Sequence, residues 1–314
     1  MASPQKQESR AESRAESYAD FWQPRYWTTW LGFSTAWLIT RLPYRLQLHI
    51  GSVIGRIGYR LANRRRHIVD VNLSLCFPAL SLIERDDLVR KVFQSSGISI
   101  VETANAWLRD PLDFRPLVSI TGLHHLESAV NEGKGVILLG MHFSTLDLCG
   151  AVLSTYVEFD VMYRRNKNRL LDLIMKKGRQ KNFPKAINRN DIRGILNSLK
   201  QGHAVWYGAD QDYGRRHSVF APFFGVPAAS ITATGRFAAM TQSRLILFTH
   251  FRNEGGSYRI ELSAPIEDFP TGDEVADAGF INQLVEQAVL KQPDQYWWLH
   301  RRFKTRPEGE SRPY

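Results

Sequence analysis

Residues 136–147 read Val136-Ile137-Leu138-Leu139-Gly140-Met141-His142-Phe143-Ser144-Thr145-Leu146-Asp147. An uninterrupted apolar run closed by glycine is the pattern of a strand buried on both faces. A histidine follows almost at once, and helical spacing resumes beyond it. A strand ending in a polar turn that feeds a helix is half of a parallel βαβ unit. Open α/β sheets place their chemistry at the carboxyl ends of such strands. The alternation continues in both directions. Strands are expected at 118–120, 157–163, 204–207 and 245–251, and helices at 81–109, 123–132, 170–181, 192–200, 232–241 and 280–291. Ser81 and Glu84 have capping-box spacing at the head of the first of these helices. Residues 258–262 are expected to pair with 245–251 as a hairpin across Glu254-Gly255-Gly256. The fold class is therefore α/β, a mixed, mostly parallel sheet flanked by helices.

Upstream the character changes. ESRAESRAES at 8–17 is a charged repeat with no apolar face, read as a disordered leader over residues 1–20. It lacks the uninterrupted apolar region and cleavage site of a secretory signal. Residues 27–39, WTTWLGFSTAWLI, are apolar and flanked by Arg25 and Arg41. This stretch is shorter than the roughly 20 residues that span a hydrocarbon core. Snorkelling arginines and interfacial tryptophans extend the reach of such a segment. A second apolar stretch, 46–61, carries Gly51, Gly55 and Gly58, which permit close helix packing, and leads into Asn63-Arg64-Arg65-Arg66-His67. Apolar, Trp-rich helices before a basic cluster fit a membrane anchor with its charge on the cytoplasmic side. Two amphipathic helices buried in a soluble domain fit the same residues. The expected organisation is a leader at 1–20, a membrane-anchoring segment with an N-terminal hydrophobic helix at 21–63, and a catalytic domain at 64–314. Whether the helix spans the membrane or lies on it stays open.

Composition narrows the class. The 314 residues include 41 Lys plus Arg against 31 Asp plus Glu, a net charge of +10, with 43% apolar and 23% charged residues. That is a globular chain and excludes a fibrous or wholly disordered one. The positive charge implies an anionic partner. Two cysteines, Cys76 and Cys149, are too few for a disulfide framework or a cysteine-based metal site. No helix-turn-helix, RNP or zinc pattern points to nucleic acid. No metal ligand set is visible in the histidine spacing, and none is expected.

The chemistry concentrates at three strand ends. If His142 occupies the turn and Asp147 the first turn of the next helix, the carboxylate can reach back to the imidazole. It would then fix the tautomer and stabilise the cation formed on proton uptake. Local hydrogen bonds at a strand end and a helix start would use the same two residues. Tyr163-Arg164-Arg165-Asn166 closes a second strand, and Asp210-Gln211-Asp212-Tyr213-Gly214 a third, followed by Arg215-Arg216 and an aromatic run to Gly225. Arginine beside a base suits an anionic group such as phosphate. The aromatic run suits an apolar chain.

Together these blocks resemble the late acyltransferases of lipid A biosynthesis, within the wider glycerolipid acyltransferase superfamily. His142 to Asp147 is similar to the superfamily's H-x4-D/E motif, with Asp where many late acyltransferases carry Glu. Arg164 matches the arginine of the second block, and Asp210 to Gly214 with Arg216-His217-Ser218-Val219-Phe220 matches the third. Thr232-Ala233-Thr234-Gly235, the stretch Asn72-Leu73-Ser74-Leu75-Cys76-Phe77-Pro78 and the tail from Gln295 to Pro307 extend the likeness over residues 20–307. The resemblance implies transfer of an acyl chain, laurate first among the candidates, from acyl carrier protein to a hydroxyl of Kdo2-lipid IVA. His142 would be the general base and Asp147 its orienting acid. Asp210, Asp212, Gly214 and Arg216 would shape the acceptor site, and Arg164 would bind phosphate or the developing oxyanion. No cofactor or metal is implied. The implied location is the cytoplasmic face of the bacterial inner membrane, in contact with membrane lipid. A lysophospholipid or phosphatidylinositol mannoside acceptor, or a non-catalytic basic module, are the alternatives.

Overall fold

The computed structural model describes residues 17–314. Most of the expected leader lies outside these residues. Tyr18–Phe21 forms a 3-10 turn with a capping box from Ser17. Four helices precede the sheet: α1 (Trp27–Ile39), α2 (Tyr44–Leu61), α3 (Asn63–Cys76) and α4 (Leu82–Leu108). The Ser81–Glu84 capping box heads α4 as expected. There follow β1 (Val118–Thr121), α5 (Leu123–Asn131), β2 (Val136–Gly140), α6 (Leu146–Leu153), β3 (Phe159–Tyr163), α7 (Arg169–Asn182) and β4 (Ala186–Asn188). The chain continues through α8 (Ile192–Lys200), β5 (Ala204–Gly208), β6 (Ser218–Phe223), β7 (Val226–Ile231), α9 (Ala233–Thr241), β8 (Arg244–Arg252), β9 (Tyr258–Leu262) and α10 (Glu274–Lys291).

Seven strands form one sheet in the order β1-β9-β8-β2-β5-β3-β4. The run from β8 to β4 is parallel, β9 is antiparallel to β8, and β1 is parallel to β9. This is the mixed, mostly parallel sheet that the alternation predicts. Every residue of β2 and β5 is buried. Leu138, Trp206 and Ile246 pack on α6 at one face, while Ile137, Leu139, Val205 and Tyr207 pack on α8 and α9 at the other. Helices on both faces explain why β2 reads as a continuous apolar run and does not alternate.

Three features differ from the sequence reading. β4 has three residues, too few to register as a period. The aromatic run read as a chain-contacting segment is an antiparallel ribbon, β6 with β7, in which Pro222 lies opposite Pro227. A two-stranded ribbon has two edges, so prolines are tolerated there. α10 begins at Glu274, capped by Asp273, and not at residue 280. Its opening turn is mostly exposed and carries little apolar signal.

The N-terminal helices divide into two environments. α2 crosses α4 at glycines. A Cβ on Gly55 would lie 2.2 Å from the Phe93 carbonyl oxygen, and one on Gly97 would lie 2.3 Å from the Gly51 carbonyl oxygen. The backbones touch directly, as small residues allow. α1, by contrast, has no buried residue. Trp22, Trp27, Leu31, Trp37 and Leu38 are exposed on or beside it, and Leu46, Val53, Ile57 and Leu61 are exposed on α2. Among the described residues, no helix is long and apolar enough to cross a membrane.

The crossing makes a testable distinction between glycines. Gly97→Ala forces backbone apart and should lower stability by about 1–3 kcal/mol. Gly32→Ala, in α1 with nothing within 4 Å of the added carbon, should be neutral or stabilising by up to about 1 kcal/mol. Thermal unfolding in detergent compares them, and equal midpoints would refute the close crossing.

Candidate active site

Gly140 pairs with Gly208 in the parallel register of β2 and β5. Parallel strands advance together, so the residues two positions on, His142 and Asp210, emerge side by side. The imidazole Nδ1 lies 2.6 Å from Asp210 Oδ1, and the His142 backbone N–H donates to Oδ2 at 2.9 Å. The glycines leave room for these groups. A Cβ at 140 would lie 1.9 Å from Trp206 Nε1, and one at 208 would lie 2.9 Å from His142 Cε1. The imidazole packs edge-on to Trp206, with ring centroids 5.7 Å apart. With Asp210 ionised, Nδ1 carries the proton and donates, which leaves Nε2 as a proton acceptor.

Electrostatics reinforce the pair. Burial opposes charge on His142, but the Asp210 charge and hydrogen bond, with Asp147 adding, outweigh it and raise the imidazole pKa above 6.5. Burial likewise opposes charge on Asp210. The His142 charge and the hydrogen bonds from His142 outweigh it and lower the carboxyl from 3.8 to about 2. The sign of each contribution follows. Stability from His142 is complete below pH 6.5 and is lost as pH rises through its raised value. Stability from Asp210 is present above 3.8 and is lost as pH falls towards 2.

The expected contact from Asp147 is not made. Asp147 does lie in the first turn of α6. Its Oδ2 accepts from Thr103 Oγ1 at 3.0 Å, and its Oδ1 lies 3.7 Å from Arg179 of α7. The helix start carries this carboxylate towards α4 and α7, while the strand register delivers Asp210 to the imidazole. Sequence spacing favoured the local partner. The actual one lies 68 positions away along the chain.

The other expected residues separate by role. Asp212 is buried, and its carboxylate accepts from Gly214 N at 2.8 Å, Thr305 N at 2.8 Å and Thr305 Oγ1 at 3.0 Å. It therefore ties the third block to the tail. Gly214 turns the chain with φ 85°. Arg164 and Arg216 are exposed, and the Arg164 charge is felt at Tyr213. Asp210, expected among the acceptor-binding residues, is the partner of His142.

The tail holds the turn at His142 from behind. Trp297 N–H donates to the His142 carbonyl at 2.8 Å, Ser144 N–H to the Gln295 carbonyl at 2.8 Å, and Tyr296 O–H to the Asp210 carbonyl at 3.2 Å. Ser144 Oγ lies 3.0 Å from Ser95 Oγ, which accepts from Arg252 at 2.7 Å. Arg252 also pairs with buried Glu102 at 2.7 Å. Thr145 Oγ1 lies 2.8 Å from Nδ1 of His250, a histidine that burial drives down to about 3 and so keeps neutral. Nothing in the local sequence signals Ser95, Glu102 or Arg252. Two of the tail's basic residues bond back to the protein: Arg302 is buried and donates to the Ala229 carbonyl, and the exposed Lys304 donates to the Asp212 carbonyl.

His142 and Asp210 line a small cavity together with Tyr296, Trp297 and His300, and two larger concavities are lined by neither of them. An apolar groove of about 510 Å³ runs between α1, α4 and α7, lined by Gly32, Phe33, Ile100, Thr103, Leu171 and Trp297 among others. A cleft of about 560 Å³ lies among the ends of β3, β4 and β5 with α8 and α9, where Arg189, His217 and Arg236 accompany Met162, Leu196 and Tyr213. Both volumes suit a ligand site.

A half-buried imidazole beside a buried carboxylate at the strand ends is an arrangement that can accept a proton. The family described as bacterial lipid A biosynthesis acyltransferase matches residues 15–305, and the chain belongs to that family. It is 38% identical over 297 residues to the lipid A biosynthesis palmitoleoyltransferase of Escherichia coli strain K12, covering 94% of this chain and 97% of that protein. It is also 38% identical to the lipid A biosynthesis lauroyltransferase of the same strain, covering 91% of this chain and 94% of that protein. The lipid A biosynthesis myristoyltransferase of that strain is 30% identical, covering 94% and 92%. The protein is thus an enzyme of the acyltransferase class.

The pair predicts a titration. In Asp210→Asn the burial cost remains and the opposing charge is gone, so the His142 pKa should fall below 6.5. Imidazole proton shifts in the detergent-solubilised chain read this directly. A value still above 6.5 would refute the assignment of Asp210 as partner.

Proposed function

We propose that the protein transfers laurate from acyl carrier protein to a hydroxyl of Kdo2-lipid IVA, at the cytoplasmic face of the bacterial inner membrane. The observation that carries this reading is the Asp210–His142 pair at the strand ends, in a cavity that shares Trp297 with the apolar groove. The acyl chain of the donor lies in the apolar groove, with its thioester at the end marked by Thr103 and Trp297. The acceptor lies over the strand ends. Its phosphoryl groups face the cleft, where Arg189 lies over the Tyr213 ring at 5.7 Å and has no ion-pair partner among the described residues. Arg164 and Arg216 extend the positive rim.

His142 Nε2 takes the proton of the acceptor hydroxyl, and Asp210 holds the imidazole in the required tautomer and stabilises the cation. The oxygen attacks the thioester carbonyl directly. Cys76 and Cys149 are buried, and burial raises both thiols, so neither suits an acyl-enzyme intermediate. Both substrates must be present together, so much of the acceleration comes from proximity.

α1 supports a position on the membrane surface. Its exposed Trp22, Trp27 and Trp37, flanked by Arg25 and Arg41, fit a helix lying at the headgroup level. The groove opens between this helix and α4, so an amphiphile can enter from the lipid layer.

The test is acyl transfer by the detergent-solubilised protein with labelled Kdo2-lipid IVA and a panel of acyl carrier protein thioesters. Wild type should give product, with laurate preferred, and His142→Ala should give none while remaining folded. Absence of product with every donor would overturn the lipid A acceptor, and product from lysophospholipid would replace it. Gly32 lines the groove with open space beyond it. Gly32→Leu should therefore shift preference towards shorter donors, and an unchanged profile would remove the groove as the chain site.

A further inference from the structure

We infer that the basic face formed by the loop after β3 and the outer side of α7 is the docking surface for the acidic carrier protein that brings the acyl thioester, a partner whose identity rests on the acyl-transfer reading. The stretch runs from the end of β3 through α7 to the start of β4. Residues 164–185 hold nine Lys and Arg against one acid, Asp172, a local charge of +8 in a chain whose total is +10.

This charge is not neutralised within the fold. On α4 the exposed cations Arg90 and Lys91 each pair at 2.7 Å with an acid four residues earlier. On α7 the acid four residues before Lys176 is Asp172, and it serves the loop instead. Its carboxylate accepts from the Asn166 N–H at 2.6 Å and lies 3.8 Å from Arg165. Lys167, Lys176 and Lys185 are exposed, and their side chains have no partner among the described residues. Lys177 lies over the Tyr18 ring at 4.1 Å, a contact that leaves its charge in place. The helix dipole favours cations in the last turn, which accounts for Lys181. Lys167, Lys176 and Lys177 come before that turn. Like charges crowded on one face repel, and an acidic surface laid over them relieves the repulsion.

What the face lacks, and what adjoins it, indicate the partner. Among the described residues, no large apolar side chain between Tyr156 and Ile192 is exposed. A helix lying in a membrane needs an apolar face as well as cations, and α1 has both, with Trp27 and Trp37 exposed beside Arg25 and Arg41. The face on α7 offers charge alone, which steers a soluble acidic protein. The other side of the same helix turns inward. Leu170, Leu173 and Ile174 are buried, and Leu171 and Ile174 line the apolar groove. Lys176 and Lys177 stand about 3–5 Å beyond Ile174 along the helix axis. A carrier seated on α7 is therefore beside the groove that takes its chain. That groove shares Trp297 with the cavity lined by His142 and Asp210.

The experiment measures binding of labelled dodecanoyl acyl carrier protein to the detergent-solubilised full chain, with kcat and the donor KM alongside. The variants are Lys176→Glu/Lys177→Glu, Lys176→Arg/Lys177→Arg, Lys167→Glu and Lys134→Glu. The last is a control before β2, at the end of the sheet remote from His142. Circular dichroism confirms folding. At low salt Lys176→Glu/Lys177→Glu should weaken binding and raise the donor KM about tenfold, the size expected of a few exposed charge contacts, with kcat changed less than about twofold. At ~1 M salt, where charges are screened within about 3 Å, the two proteins should differ by less than about twofold. Lys167→Glu should weaken binding about threefold, and the arginine pair and Lys134→Glu should match wild type. Sedimentation with phosphatidylglycerol vesicles should not separate wild type from the double reversal. Unchanged carrier affinity in Lys176→Glu/Lys177→Glu overturns the inference, as does an equal loss in Lys134→Glu. Vesicle binding lost with carrier binding intact overturns it and gives the face to the membrane. If the double reversal does not fold, Lys167→Glu with wild-type affinity overturns it. Wild type that binds the carrier through this face and transfers nothing to any acceptor overturns the acyl-transfer reading and leaves the docking surface standing.

Discussion

Gly140 lies opposite Gly208 in neighbouring parallel strands, and this register sets every distance that the chemistry needs. One residue of slip would move each side chain of β2 to the other face of the sheet. It would also separate an imidazole and a carboxylate that stand 2.6 Å apart. The register is held because every residue of both strands is buried between two helical layers. The apolar core therefore fixes the charge separation. No flexible loop needs to bring the imidazole and the carboxylate together.

The segment around 142–147 has no regular backbone partner of its own, so its groups are satisfied from elsewhere. Gln295 and Trp297 accept and donate at its backbone, while Ser95, Arg252, Glu102 and His250 fix its side chains. The buried Arg252–Glu102 pair is offset in part by further hydrogen bonds to Ser95 and Tyr258, all on Glu102 Oε1 or the guanidinium, while Glu102 Oε2 has no partner among the described residues. The net charge of +10 is accordingly a poor map of the binding surface. Arg302 serves the interior, whereas Arg164, Arg189 and Arg216 remain where an anion can reach them.

Much of the architecture was legible because burial leaves a period in the sequence. β2, α8 and β9 fall at their expected residues, and the capping box of α4 forms as its spacing indicates. β4 and the β6–β7 ribbon were not legible, since one is too short to show a period and the other carries prolines and aromatics that also suit a ligand contact. The site was legible in its components more than in its contacts. His142, Asp147 and Asp210 were all identified, but chain proximity paired the histidine with Asp147. Strand order decides that pairing, and β5 stands beside β2 only once the parallel sheet is assembled.

The hold of the tail on the turn at His142 has a consequence for synthesis. Gln295, Tyr296 and Trp297 leave the ribosome after all the strands and after α10. A nascent chain can assemble the whole sheet and still have the His142 and Asp210 carbonyls without their donors. The turn after β2 is thus fixed late in translation, once the last-made part of the fold has docked. A chain interrupted before residue 295 would have every strand but not the contacts that fix residues 142–144. The sheet and the segment that ties its turn, encoded far apart in the polypeptide, are separated in time.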